Sequence, residues 1–155
     1  MIQSENLSRS TLHRYWMWSN RMREHCEKAI LNPEWIQREE ENVQRNPLLA
    51  GAAFFCDDPG IFMSYWYGSL YVVIEGWKEL RFSDIVIDSL LLDPKVEQLR
   101  LYRNGAFHFQ KNYWDHRFKE FIAMEGAAGW VRKVTCEFGR WFVEKRKSAN
   151  NDYAP

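Results

Sequence analysis

The side chains best suited to ligate a metal or move a proton near neutral pH are four histidines, His13, His25, His108 and His116, and three cysteines, Cys26, Cys56 and Cys136. Their spacing argues against a metal centre. No two histidines flank a glutamate at i and i+4, and the neighbours Glu24-His25 and Asp115-His116 leave a helix in different directions. No Cys-x-x-Cys pair is present, so the cysteines read as buried, reduced thiols rather than a disulfide or zinc framework. Glycine loops of the phosphate-binding or dinucleotide type and a Gly-x-Ser-x-Gly elbow are also missing, and no cofactor is implied. What remains is the run Leu101-Tyr102-Arg103-Asn104-Gly105-Ala106-Phe107-His108-Phe109. On an unbroken helix Arg103 and His108 point about 140° apart. If the helix stops at Gly105, the chain turns and a permanent cation can converge with a titrating imidazole. A guanidinium forks onto phosphate oxygens, and an imidazole takes or gives a proton. Structural roles stand beside this reading: Phe107 and Phe109 can hold His108 in a core, and Arg103 can complement the negative end of a helix.

Two further clusters have a bland and a functional reading. Tyr65, Trp66, Tyr67, Tyr71 and Trp77 could stack bases, but their helical spacing favours packing. Tyr67 and Tyr71, at i and i+4 and off the main stripe, are the members expected to face a partner. Arg140, Lys145, Arg146 and Lys147 could touch phosphate, or simply complement a helix dipole.

The elements that must position these groups are punctuated by proline. Four of the five prolines follow Asn or Asp, at Asn32-Pro33, Asn46-Pro47, Asp58-Pro59 and Asp93-Pro94. An acceptor at N-cap followed by Pro at N1 is helix-start chemistry. Apolar periodicity then predicts helices over about 10–31, 33–45, 59–80, from Pro94 to Asn104-Gly105, and 112–147 with a bend near Gly126 or Gly129. The stretch NPLLAGAAFFCDDPG reads as a loop. SDIVIDSLLLD alternates like a strand at Ile85 and Ile87, yet Ser83 could cap a short helix, and helix is favoured because a lone strand has no partner. Small residues at Ser69 and Gly76 on the 59–80 stripe invite close approach by another helix.

The expectation is thus an all-α, antiparallel bundle of about five helices in one domain, with a core over about 10–147 and frayed ends. Composition agrees: the 155 residues are 46% hydrophobic and 16% aromatic, which argues against disorder as the main state. Lys plus Arg and Asp plus Glu balance at 21 each, so no global basic footprint drives nucleic-acid binding, and such a role must be local. The first residues lack the apolar stretch of a secretory signal and no run of eighteen apolar residues occurs, which points to the cytoplasm and no membrane.

With these features together, the chain resembles HEPN domains, whose signature is an Arg, a polar residue that is often Asn, a few further residues and a His before the last long helix of a small bundle. YRNGAFHF matches as Arg103, Asn104 and His108; YVVIEGWKEL is similar to the family's hydrophobic helix carrying an acidic residue, with Glu75 facing Arg103. The likeness is sharp over about fifteen residues and architectural over roughly 60 to 147. It implies a homodimer with a composite Arg/His site and, in many members, metal-independent endoribonuclease activity of the toxin or defence type, sometimes with an antitoxin partner. Arg103, His108 and Asn104 would be catalytic, and Glu75, Tyr102, Tyr67 and Tyr71 supporting. The resemblance equally admits a noncatalytic nucleotide-binding or protein-interaction module.

Overall fold

Asn32 is extended and its side chain accepts a hydrogen bond from the Glu34 amide at 2.9 Å, while Pro33 takes the first helical position. The cap satisfies an orphan donor and the proline has none to satisfy, so a helix starts there. In a computed structural model the described residues are 2–151, and this helix, α2 (Pro33–Arg45), follows α1 (Ile2–Ile30). Then come α3 (Pro47–Cys56), α4 (Asp58–Glu79), α5 (Ile85–Leu90), α6 (Lys95–Phe107), α7 (His116–Ala123) and α8 (Ala127–Asn151). Among the described residues there are eight helices and no strand, so the chain is all-α, with more helices than the five or so expected.

The backbone of the bundle is α1 lying antiparallel along α4. Three contacts run in opposite directions on the two helices: Leu12 meets Gly76, the Ser19 hydroxyl donates to the Trp66 carbonyl at 3.2 Å, and the Cys26 thiol donates to the Pro59 carbonyl at 3.5 Å. Leu12, Ser19 and Cys26 are seven residues apart in turn and all buried, one narrow stripe of α1. Gly76 provides the close approach expected of it, since a Cβ there would come within 2.7 Å of Leu12 Cδ1.

Against this pair, α8 packs Val131, Val134, Phe138, Trp141 and Phe142, and its Thr135 joins three helices. The Thr135 hydroxyl accepts from Trp66 Nε1 at 3.1 Å and donates to the Val131 carbonyl, while its own carbonyl accepts from Trp16 Nε1 at 2.9 Å. The buried Trp66 and the half-buried Trp16 thereby have their N–H groups satisfied, which keeps the gain of about 1.5–3 kcal/mol for burying a large apolar side chain free of a desolvation penalty. Trp77 is handled likewise: its Nε1 donates to Asp88 Oδ1 at 2.9 Å.

Four expectations are corrected by the fold. The NPLLAGAAFFCDDPG stretch is a helix, α3, over most of its length. The short helix α5 is capped by Asp84, not Ser83: the Asp84 carboxylate accepts from the Val86 and Ile87 amides, and the Ser83 hydroxyl donates to Asp88 instead. The last long helix is two, broken over Met124–Gly126, where Gly126 at φ 70° makes the left-handed turn that glycine tolerates. Finally, α1 starts at Ile2 and α8 reaches Asn151, beyond the expected core; the rest of the tail, 152–155, lies outside the described residues. Among the described residues no helix is long and apolar enough to cross a membrane.

Candidate functional site

The Arg103-to-His108 segment depends on where α6 ends. It does not end at Gly105: the helix continues through Phe107 and His108 is its extended C-cap, its amide donating to the Asn104 carbonyl at 3.2 Å. Gly105 has a different use from the expected left-handed terminator. It is buried, and a Cβ there would stand 3.3 Å from both Arg117 Cβ and the Phe118 ring, so the missing side chain lets α7 press onto α6. His108 thus leaves the helix in extended backbone, and Arg103, a turn earlier on α6, is not among the described residues that line the cleft beside His108.

Arg103 is half-buried; its Nη1 donates to Asn104 Oδ1 at 3.0 Å, while its Nε is buried without a hydrogen bond. Glu75 is exposed and, among the described residues, forms no ion pair with Arg103, so the expected Glu75–Arg103 partnership is replaced by Arg103–Asn104. Both charges lie near Tyr71: burial and then the Glu75 carboxylate push that phenol up, while Arg103 opposes them.

Tyr67 and Tyr71 do not face a partner, because they are only 5% and 8% exposed. Tyr67, Tyr102 and Phe121 form an aromatic triangle with ring centroids 5.6 Å apart on each side, which binds α4, α6 and α7 together. Burial holds the Tyr67 phenol at about 12 and pushes Tyr102 up further still. The Tyr102 hydroxyl shares a 3.0 Å hydrogen bond with Ser64, whose hydroxyl also reaches the Gly60 carbonyl at 2.8 Å. Tyr67 and Tyr71 are thus packing residues, whereas Tyr102 packs and also holds Ser64 through its hydroxyl.

His108, by contrast, is exposed, not sealed among phenyl rings. It lines a cleft of about 400 Å³ that also draws on Phe55, Ser64, Phe107, Trp114 and Phe118. The floor is α3, α4 and α6; the outer wall is the linker 108–115 between α6 and α7. That linker is braced at several points. Gln110 Nε2 donates to the carbonyls of His108 and Asn104 at 2.6 and 3.3 Å, and Arg117 grips both Gln110 Oε1 and Asp115. The Arg117 guanidinium, outweighing desolvation, holds the Asp115 carboxyl down at about 2. The Tyr113 hydroxyl donates to the Ala52 carbonyl at 2.7 Å, and the Trp114 ring lies over Gly51 of α3. A loop of eight residues fixed this way can present His108 in one geometry.

Cys56 lies at the same cleft, 3.6 Å from the Tyr113 hydroxyl. It and Cys136 are exposed and only Cys26 is buried, which corrects the expectation of three buried thiols; all three are free. Burial and the adjacent Cys56 push the Tyr113 phenol up. Among the described residues no group of three or more His, Cys, Asp or Glu side chains is placed to hold a metal ion. The C-terminal cations divide: Arg140 forms ion pairs with Asp84, Glu137 and Glu144, whereas Lys145 stands over the Trp141 ring.

The cleft's walls were not singled out from the sequence, because Phe55, Ser64, Trp114 and Phe118 come from separate segments. The available signal was the run FHFQKNYW, four aromatics interleaved with polar residues at no helical period. Fold and site together define an all-α protein with an imidazole at the mouth of an aromatic cleft. No protein-family model, no curated protein and no solved structure matches the chain.

Proposed function

We propose that this protein is a HEPN-like, metal-independent endoribonuclease of the toxin or defence type, acting in the cytoplasm as a symmetric dimer. The observation that carries this reading is the placement of His108. An exposed imidazole ends the helix that bears the Arg103–Asn104 pair and stands at the mouth of a cleft that could receive RNA. The ribose 2′-oxygen attacks the adjacent phosphorus, the bond to the 5′-oxygen breaks, and a 2′,3′-cyclic phosphate remains. His108 takes the 2′-hydroxyl proton or supplies one to the departing 5′-oxygen, the general acid–base work that an imidazole can do. Arg103 stabilises the charge that builds on the pentacoordinate phosphorus, with Asn104 fixing the guanidinium through the 3.0 Å hydrogen bond.

Because Arg103 does not line the cleft that His108 lines, the reactive pair on this reading forms across a two-fold axis, Arg103 of one protomer with His108 of the other. An antitoxin partner would act by covering this face. The test is incubation of purified protein with single-stranded RNA in excess chelator. Cleavage products ending in a 2′,3′-cyclic phosphate are expected, and His108→Ala should abolish them while leaving helicity and dimer unchanged. Intact RNA in the wild-type reaction would refute the proposal.

A second reading has its own support. Arg103 does not line the His108 cleft, and the net formal charge of +0 gives RNA no steering field. On this reading the chain is a noncatalytic nucleotide-binding or protein-interaction module, and saturable nucleotide binding without cleavage is its signature.

A further inference from the structure

The cleft beside His108 is built largely from rings. Although the chain carries equal numbers of acidic and basic residues, among the described residues no Asp or Glu lines the cleft. The acid nearest along the linker, Asp115, is already taken by Arg117 at 2.6 Å. His108 on the lining and Lys111, exposed three residues further along the linker, are cationic or protonatable groups that can meet an anion. Inside, the Phe55 and Phe118 rings lie 5.9 Å apart and Phe55 meets Trp114 edge-on at 6.3 Å, a closed apolar floor. Neutral polar side chains on the lining are Ser64, Gln110, Asn112 and Tyr113, with Gln110 already engaged by the linker carbonyls and Arg117.

Of the exposed large apolar side chains, Phe109 is the one with the greatest exposure among those that line the cleft. Phe109 is 92% exposed although the linker that bears it is pinned on both sides. A phenyl ring held in water at the edge of a concave site is the arrangement of a stacking platform, where a base can be sandwiched without reading its sequence. The volume of about 400 Å³ falls within the range of small-ligand clefts.

We propose that this cleft is a nucleobase subsite: it takes one unpaired base of single-stranded RNA, stacked on Phe109, with the attached phosphate directed to His108 and Lys111. The inference rests on the RNA-directed reading above and adds to it how the strand is gripped. Because the linker is braced before anything binds, little ordering is lost on stacking, and the subsite is sequence-tolerant.

The test uses the full-length protein and a fluorescent 2′-O-methyl oligouridylate, which cannot be cut by 2′-hydroxyl attack, against an abasic strand of equal length. Wild type is expected to bind the base-bearing strand about tenfold more tightly than the abasic one at the same salt concentration. Phe109→Ala, at a position too exposed to threaten folding, should bring the two affinities together, and Phe109→Trp should keep them apart. Equal binding of the two strands by wild type, or an unchanged preference in Phe109→Ala, overturns the subsite. So does a Phe109→Ala protein whose RNA affinity is intact but whose sedimentation shows a lost dimer, because Phe109 would then belong to a protein interface. Base-dependent binding by a protein that cuts no RNA upholds the subsite and defeats the cleavage reading. RNA cleavage by wild type with no base preference does the reverse.

Discussion

The Phe107 ring closes directly over Gly68, so that a Cβ at Gly68 would overlap the ring atoms Cε2 and Cζ. This contact, with Tyr65 against the same ring at 5.6 Å between centroids, locks the end of α6 onto α4 and thereby sets the position of the next residue, His108. Replacing Gly68 by alanine should therefore act twice. Overpacking of a tight contact costs about 1–3 kcal/mol, read as a lowered midpoint in urea. It should also displace the α6 terminus, so cleavage or base binding at His108 should fall beyond what the lost stability explains. A Gly68→Ala protein as stable as wild type would contradict the close packing.

Arg81, just past α4, occupies the left-handed region at φ 55°. Its amide donates to the Lys78 carbonyl and the next amide, Phe82, to the Trp77 carbonyl, the bonding of a helix terminus that usually recruits glycine. The Arg81 side chain is exposed. Arg81→Gly should therefore raise stability by about 0.5–1 kcal/mol, the relief of left-handed strain less the added freedom of the unfolded chain. Thermal melts at neutral pH check this; a lower melting temperature would mean that the arginine makes a compensating interaction.

Acid should loosen the α5 region. Burial works to raise the Asp84 and Asp88 carboxyls, but hydrogen bonds outweigh it: Arg140 and the Ile87 amide on Asp84, Ser83 and Trp77 on Asp88. Both end below the ordinary carboxylate value. A depressed folded pKa stabilises the fold above the unfolded value, and that stability is lost as pH falls from about 4 through the lower folded values. Melting temperature is expected to decline over that acid window. The Asp84→Asn, Asp88→Asn double variant should start lower at neutral pH and decline less steeply. Parallel curves for the two proteins would assign the acid sensitivity elsewhere.

Which parts of this fold were legible in the sequence follows from how local their causes are. The α2 boundaries depend on Asn32-Pro33 and its own cap, and the α1–α4 contact was announced by small residues on an apolar stripe. The α3 helix was missed because LLAGAAFF is apolar all round and shows no period. Gly105 was misread because a glycine near a helix end can serve either a left-handed turn or a close approach, and the element that settles it, α7, arrives later in the chain. The same distance in sequence hid the cleft: Trp114 meets Phe55 only through the fold. Arg103, Asn104 and His108 could be singled out by type and spacing, but their directions depended on a helix continuing two residues further than its glycine suggested.

If Arg103 of one protomer works with His108 of its partner, as proposed, two inactive proteins should restore activity when mixed. Arg103→Ala and His108→Ala are each expected to be inactive on single-stranded RNA in chelator. Subunit exchange between them at equal concentration makes half the dimers mixed, and each mixed dimer holds one intact pair out of two. Activity should therefore return to about a quarter of the wild-type level. A mixture as inactive as its parents, alongside an active wild type, would contradict the shared site.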